Sequence, residues 1–380
     1  MTESKLKSWE KEFSANRDSY VRFEKLLKNL LEKLLEKEEF VPVQITSRTK
    51  TTQSLKEKIE RKNLEGKSYD NPLSQITDIV GIRIITYYLN DIDEIGNLIK
   101  KEFQIDEKNS LDKSAILGID QFGYKSVHYI ISLSSSRQDL PEWVEFGMFK
   151  AEIQVRTTLQ NAWAEIDHEI RYKKEENIPI EIRRRIYRLM ALFELADEEF
   201  QNLKYLTEEV KAKYLEDVTW GNFKMEINVL SLGAYFSFTK QDDRWMEISN
   251  RLILDILNSY ETDKDISANI KVVKDFYHYG YLANLDKLLH KLEIKTLKEF
   301  DEILKSGDKF GKDAIRDTYR HFIYNTLTED GHYDFWFDPY SNISILIIHS
   351  KMNLIRGNPK ILDDIDGIWF IKNRIKDLIK

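Results

Sequence analysis

Ile79-Val-Gly-Ile-Arg-Ile-Ile-Thr-Tyr87 is rich in β-branched and aromatic residues and predicts a buried strand. One residue breaks the apolar run. Arg83, a charge inside such a strand, needs a partner or a cleft. Directly before it, Asp78 stands at the strand's mouth. An acid there serves either as a cap or as a magnesium ligand, because carboxylate oxygens suit that hard cation. Downstream, Asp91 to Phe103 predicts a crossover helix, Gln104 to Phe122 a long polar loop, and Val127–Leu133 and Met148–Arg156 two further strands. A helix from about Thr158 to Tyr172 follows. Upstream, Phe23, Leu26, Leu27, Leu30, Leu31 and Leu34 fall at helical spacing within Lys5–Lys37, and Pro42 ends that pattern. Val41 to Thr46 reads as extended, and a second helix begins near Thr49–Thr52, where threonines supply caps, and runs to about Leu64. Strand and helix thus alternate from Val43 to Tyr172, which predicts an α/β (α+β) fold, a mixed sheet flanked by helices.

After Pro179, residues Ile182, Ile186, Leu189, Phe193, Ala196, Phe200 and Leu203 recur at spacings of four and three, a heptad-like seam read as intramolecular packing rather than a coiled-coil dimer. The pattern lapses at Asp217–Asn222, where the domain boundary is placed. Three segments result: an N-terminal helix over 1–40, an α/β domain over 41–216 with the long helix at its end, and a mostly helical domain over 222–380. The last has helical patterns at Arg244–Tyr260 and Arg316–Thr326 and a strand at Ile343–Ile348.

With 380 residues, 42% apolar and 32% charged, the chain is neither disordered nor collagen-like. It has no cysteine, which removes disulfides, thiolate metal sites and cysteine nucleophiles and agrees with a cytoplasmic protein. Met1 to Glu12 lacks the apolar core of a signal peptide, and Ile345–Ile348 is far too short to cross a membrane. The net charge of −7 speaks against polyanion binding by the whole surface, so contact with nucleotides requires a local basic patch.

Such a patch is visible. Arg48 precedes Lys50, Ser54, Lys58 and Arg61, which at i, i+4, i+8 and i+11 put three cations and a hydroxyl on one helix face. That face holds a polyphosphate or is simply solvated. In the last strand, period two sets Lys150, Glu152, Gln154 and Arg156 against Phe149, Ala151, Ile153 and Val155, one polar face and one core face. Tyr124, after Gly123, offers a flat platform for a base, and His128 follows on the next strand. Trp163 reads as core.

The order of these blocks closely resembles the synthetase domain of the RelA/SpoT family. They are Arg48-x-Lys50-x3-Ser54-x3-Lys58-x2-Arg61, Asp78-Ile-x-Gly-x-Arg83, Gly123-Tyr-x-Ser-x-His128, Glu152-Ile-Gln-x-Arg-Thr157, and Ala162-Trp-Ala-Glu-x-x-His168 with Tyr172-Lys173. The resemblance covers roughly Ile45 to Lys174. It implies a nucleotidyltransferase-like fold and a magnesium-dependent pyrophosphokinase, which moves the β,γ-pyrophosphate of ATP to the ribose 3′-hydroxyl of GDP or GTP and yields the alarmone (p)ppGpp and AMP. By the same resemblance Arg48 and Arg83 sandwich the adenine, and Lys50, Ser54, Lys58 and Arg61 hold the ATP phosphates. Asp78 and Glu152 bind Mg2+, with Glu152 also the base. Tyr124 stacks on the acceptor base near His128, Gln154 and Asn161.

Two departures stand out. No histidine is followed by Asp, so the His-Asp pair of the family's hydrolase half is missing. The segment Ala115 to Gly123, where many synthetases carry lysines before the stacking Tyr, has no basic residue. Some toxic relatives pyrophosphorylate the 3′ end of tRNA and carry a C-terminal neutralising domain, which is the alternative reading. An inactive nucleotide sensor is the third. Left open are a homo-oligomer and a protein partner for the C-terminal domain, whose aromatic cluster Tyr333–Phe337 suggests a binding surface.

Overall fold

The computed structural model describes residues 3–64, 66, 69, 71–112, 127–172, 179–241, 243–244, 247–248, 251–252, 270–272, 279–327, 335–337, 339–363 and 371. Contacts divide the chain into two units, Met1–Tyr205 and Leu206–Lys380.

The first unit is built on a mixed sheet. Its strands are β1 (Gln44–Thr49), β2 (Val80–Thr86), β3 (Phe103–Ile105), β4 (Leu111–Asp112), β5 (Val127–Leu133) and β6 (Ala151–Thr157). The order is β1-β2-β6-β5-β3, with β4 also pairing with β5. Only β2 and β6 are parallel; the other pairs run antiparallel. The region expected as one polar loop, Gln104–Phe122, therefore contains two short strands, which add to β5 by backbone hydrogen bonding that needs no apolar pattern.

Period two explains why the sheet has one wet face. On β2 and β6, Val80, Ile82 and Ile84, with Ala151, Ile153 and Val155, are fully buried, while the intervening Gly81, Arg83, Glu152 and Gln154 are only half-buried. Helix α1 (Glu3–Lys37) packs on the apolar face through Phe13, Phe23, Leu27, Leu31 and Leu35, and Leu26, Leu30 and Leu34 flank that stripe. Phe23 also meets Phe146 and Phe149, with ring centroids 5.4 and 5.5 Å away, so α1 anchors the chain just before it enters β6. Helix α2 (Thr52–Leu64) follows β1, and α3 (Leu89–Glu102) lays Ile92, Ile95 and Ile99 in the same core. At Gly96 a Cβ would sit 3.1 Å from Cζ of the buried Tyr129 ring, closer still to its hydroxyl. Gly96→Ala is therefore expected to destabilise this unit by about 1–3 kcal/mol through overpacking, read as a shift in urea midpoint.

Helix α4 (Thr158–Tyr172) leaves β6, and α5 (Ile180–Thr219) follows. Trp163 is core, in a small cluster with Ile186 and Met190. The expected apolar seam of α5 is only partly used. Ile182, Leu189, Phe200 and Leu203 remain about half exposed. Polar groups on the adjoining face do the docking instead: Thr157 Oγ1 donates to Asp197 at 2.8 Å, Asn90 N to Gln201 at 2.9 Å, and Lys204 pairs with Asp91 at 2.8 Å. The unit division falls inside α5, before the Asp217–Asn222 boundary read from sequence, because Tyr214 and Val218 near the helix end belong to the second core.

That second unit is largely helical, with α6 (Val229–Thr239), α7 (Tyr279–Lys291), α8 (Leu297–Leu327), α9 (Pro339–Ser350) and α10 (Met352–Gly357), and a parallel pair β7 (Ile270–Val272) and β8 (Phe335–Phe337). Asn228 starts α6 with a capping box, accepting from Leu230 and Ser231 N while Ser231 Oγ accepts from Asn228 N. Tyr235, Phe236, Phe300 and Tyr319 are fully buried, so these aromatics are core. The strand expected at Ile343–Ile348 is helical instead. All six residues are buried, Ser344 included, and a helix enclosed on every side shows the same apolar-rich stretch as a buried strand. Arg316–Thr326 is helical as expected, within α8. Of Arg244–Tyr260 the described positions are helical and the rest lie outside the described residues, as do Tyr333 and Asp334 of the aromatic cluster. Among the described residues no helix is long and apolar enough to cross a membrane.

Candidate functional site

Strand register alone assembles the wet face. Arg48 on β1 stands opposite Gly81 on β2, which stands opposite Glu152 on β6; one step along lies the row Thr46, Arg83, Gln154, His128. Gly81 contributes no side chain, so the space between Arg48 and Glu152 stays open; a Cβ there would reach 3.8 Å from Arg48 Cγ. An open cleft results, lined by Thr46, Arg48, Asp78, Gly81, Arg83, Glu152, Gln154 and Glu165. Beneath β1, Ser47 and Thr49 both donate to Glu24 of α1, at 2.7 and 2.5 Å, which pins the strand that carries Arg48.

The basic run is less uniformly helical than its spacing predicts. Arg48 is on β1 and Lys50 lies just past it, because Thr51 caps α2, its Oγ1 accepting from Ser54 N at 3.1 Å. Lys50 nevertheless converges with Lys58. Their ammonium groups lie 3.2 and 2.7 Å from Asp78, Lys50 being nine-tenths buried. Burial pushes the Asp78 carboxyl up, but the two lysines outweigh it and hold it below the usual range. Ser54 and Arg61 sit one turn either side of Lys58 on α2.

Glu152 is more enclosed. His128 Nδ1 meets its Oε1 at 2.9 Å, and Gln154 Nε2 donates to Oε2 at 2.8 Å. Burial raises this carboxyl too, yet the bonds from His128 and Gln154 prevail over it and over the nearby Asp78 charge, so its pKa is lowered. Both carboxylates are thus kept ionised and face one cleft. Among the described residues no group of three or more His, Asp or Glu could hold a metal ion, so a metal here would rest on these two carboxylates and on oxygens brought by a ligand.

Two residues were not assigned a role from sequence. Glu165 on α4 accepts from Arg83 Nη1 at 2.6 Å, and so answers the question of what partners a charge inside an apolar strand. Arg156, near the end of β6, is buried; burial, and then Arg83, lower its pKa against the pull of Glu152 and Glu165. The sequence signal for Glu165 was its place in the Ala162-Trp-Ala-Glu block, but no spacing rule links it to Arg83. Asn161, on the first turn of α4, has a buried Oδ1 without a partner among the described residues. Tyr124 lies outside the described residues.

A family profile described as a region found in RelA / SpoT proteins matches residues 47–177. The chain is 30% identical over 164 residues to the GTP pyrophosphokinase YwaC of Bacillus subtilis (strain 168), covering 43% of this chain and 74% of that one. It is 26% identical over 219 residues to the GTP pyrophosphokinase YjbM of the same organism, covering 55% and 94%. Among solved structures it is similar to a GTP pyrophosphokinase family protein from Streptococcus pneumoniae, with 25% identity, coverage of 52% and 96%, and a TM-score of 0.44. It is likewise similar to the small alarmone synthetase 1 from Bacillus subtilis bound to pppGpp, with 26% identity, coverage of 52% and 97%, and a TM-score of 0.39. The blocks that lie along one sheet face fall within the matched region, and the chain belongs to the RelA/SpoT family.

Proposed function

We propose that the protein is a pyrophosphokinase that transfers the β,γ-pyrophosphate of ATP to the ribose 3′-hydroxyl of GDP or GTP. The observation that carries this reading is a single cleft that brings together two carboxylates, Asp78 and Glu152, and two guanidinium groups, Arg48 and Arg83, with Lys50 and Lys58 paired to Asp78. Phosphoryl-type transfer asks mainly for positioning, a cation-rich cradle and a base. In this reading Glu152 takes the proton of the 3′-hydroxyl, the freed oxygen attacks the β-phosphorus, and the bond from that phosphorus to the α-bridging oxygen breaks to release AMP. Incoming phosphates draw Lys50 and Lys58 from Asp78. Ser54 and Arg61 extend the same cradle, and Arg48 and Arg83 present flat guanidinium groups to the adenine. Gln154, His128, Asn161 and Tyr124 form the acceptor side.

Asp78 and Glu152 would hold Mg2+, a cation commonly bound by one or two carboxylates together with substrate phosphates. That ion would neutralise charge on the phosphates. Without a His-Asp pair, no alarmone hydrolysis is proposed. Residues after about 222 are proposed to regulate the synthetase or to bind a partner protein.

The reading is tested by incubating the full chain with γ-labelled ATP and either GDP, GTP or deacylated tRNA. Label is expected on a guanosine nucleotide. Label on tRNA would move the acceptor to an RNA 3′ end, and label on neither would leave a nucleotide sensor.

A further inference from the structure

Arg156 is 8% exposed, yet among the described residues no carboxylate lies within ion-pair distance of it, and its Nε has no hydrogen-bond partner. Among the described residues its one polar contact is weak, Nη2 lying 3.5 Å from His128 Nε2. Arg83, the neighbouring guanidinium, is already engaged by Glu165. A desolvated cation that touches no anion is costly, and a planar guanidinium is well shaped to take a phosphate through two parallel N–H bonds. The location says which phosphate. Lys50, Lys58 and Asp78 lie where β2 begins, whereas Arg156 is paired in register with Ile85, near the other end of the parallel pair β2–β6. It is separated from Glu152 by one imidazole, since His128 Nδ1 touches Glu152 and Nε2 faces Arg156. A ribose whose 3′-hydroxyl approaches Glu152 would carry its 5′-phosphate away from the triphosphate cradle, toward that guanidinium.

We infer that Arg156, beside His128, is an anion site for the 5′-phosphate of the acceptor nucleotide. This rests on the pyrophosphokinase reading and adds to it the cation that Ala115–Gly123 lacks. The same chemistry serves a free guanosine nucleotide or the last nucleotide of an RNA.

The test compares the full-length wild type with Arg156→Met and Arg156→Lys, measuring KM for ATP and for GDP, GTP, guanosine and deacylated tRNA, together with Tm. Loss of a charge-assisted hydrogen bond is expected to raise KM for the phosphorylated acceptor about 10- to 100-fold in Arg156→Met. KM for ATP stays unchanged, the preference for GDP over guanosine disappears, and Tm does not fall. Arg156→Lys recovers part of the acceptor affinity. If the wild type uses tRNA, the same split read on tRNA supports the site with RNA as its source. An unchanged acceptor KM in Arg156→Met, or equal rises for ATP and acceptor, overturns the inference while the wild type remains active. A wild type that transfers pyrophosphate to no acceptor overturns the functional reading itself, and this assignment with it.

Discussion

Glu152→Gln is expected to abolish pyrophosphate transfer while leaving the fold intact. The amide cannot accept the proton of the attacking hydroxyl, and loss of a general base alone costs about 10²- to 10⁴-fold in rate. The structure adds a second reason. Oε1 and Oε2 of Glu152 both accept, one from His128 Nδ1 at 2.9 Å and one from Gln154 Nε2 at 2.8 Å. An amide presents a donor to one of those donors, so the row that positions the acceptor is disturbed as well. Unfolding should change little, because the side chain keeps its size and β6 is held by Ala151, Ile153 and Val155 on the opposite face. Turnover and circular dichroism on the same preparation check both halves. Near-normal turnover would show that the base has been assigned to the wrong residue.

Asp78→Asn is expected to impair activity and stability together. Lys50 and Lys58 both rest on this carboxylate, and Lys50 is buried. Removing the anion leaves two close cations uncompensated. The cost should be about 2–3 kcal/mol, somewhat below that of a deeply buried broken pair, because Asp78 keeps about a fifth of its exposure. The pH dependence has a definite sign. Asp78 has a lowered carboxyl pKa, so its contribution is fully present above the ordinary Asp value and is lost as pH falls through the folded-state one. The wild type should therefore lose stability on acidification below about pH 4, and Asp78→Asn should start less stable and lose less over that window. Equal Tm for both proteins at neutral pH would mean that the two lysines do not depend on Asp78.

Much of this site is legible in the sequence because strand periodicity does the placing. Once β6 is read as alternating, Glu152 and Gln154 must share a face opposite Ile153 and Val155, and the structure has them so. What periodicity cannot give is register between strands. Nothing in the chain says that Gly81 lies opposite Glu152, or that the charge at Arg83 is met by Glu165, 82 residues later. Helix spacing was a good guide to Lys58 and a poorer one to Lys50, because the cap at Thr51 starts the helix after it. Arg156 counts in sequence as a member of the polar row and of the Glu152-Ile-Gln-x-Arg-Thr157 block, with no role of its own, and its burial arises from packing across elements. In the second unit, Ile343–Ile348 misled for a simple reason: β-branched residues favour strands, but an enclosed helix tolerates them when every side of it meets apolar partners. The seam on α5 was visible as a pattern, whereas the polar docking of Asp197, Gln201 and Lys204 beside it was not.

Whether the protein is a pyrophosphokinase is decided by the fate of ATP's phosphates, followed by mass spectrometry of the products with ATP labelled separately at the β and γ positions. Both labels are expected to move together onto the acceptor ribose, with one AMP released for each product formed and no transfer by Glu152→Gln. Formation of ADP with only the γ label transferred, or release of both labels as free pyrophosphate with no acceptor modified, would contradict it.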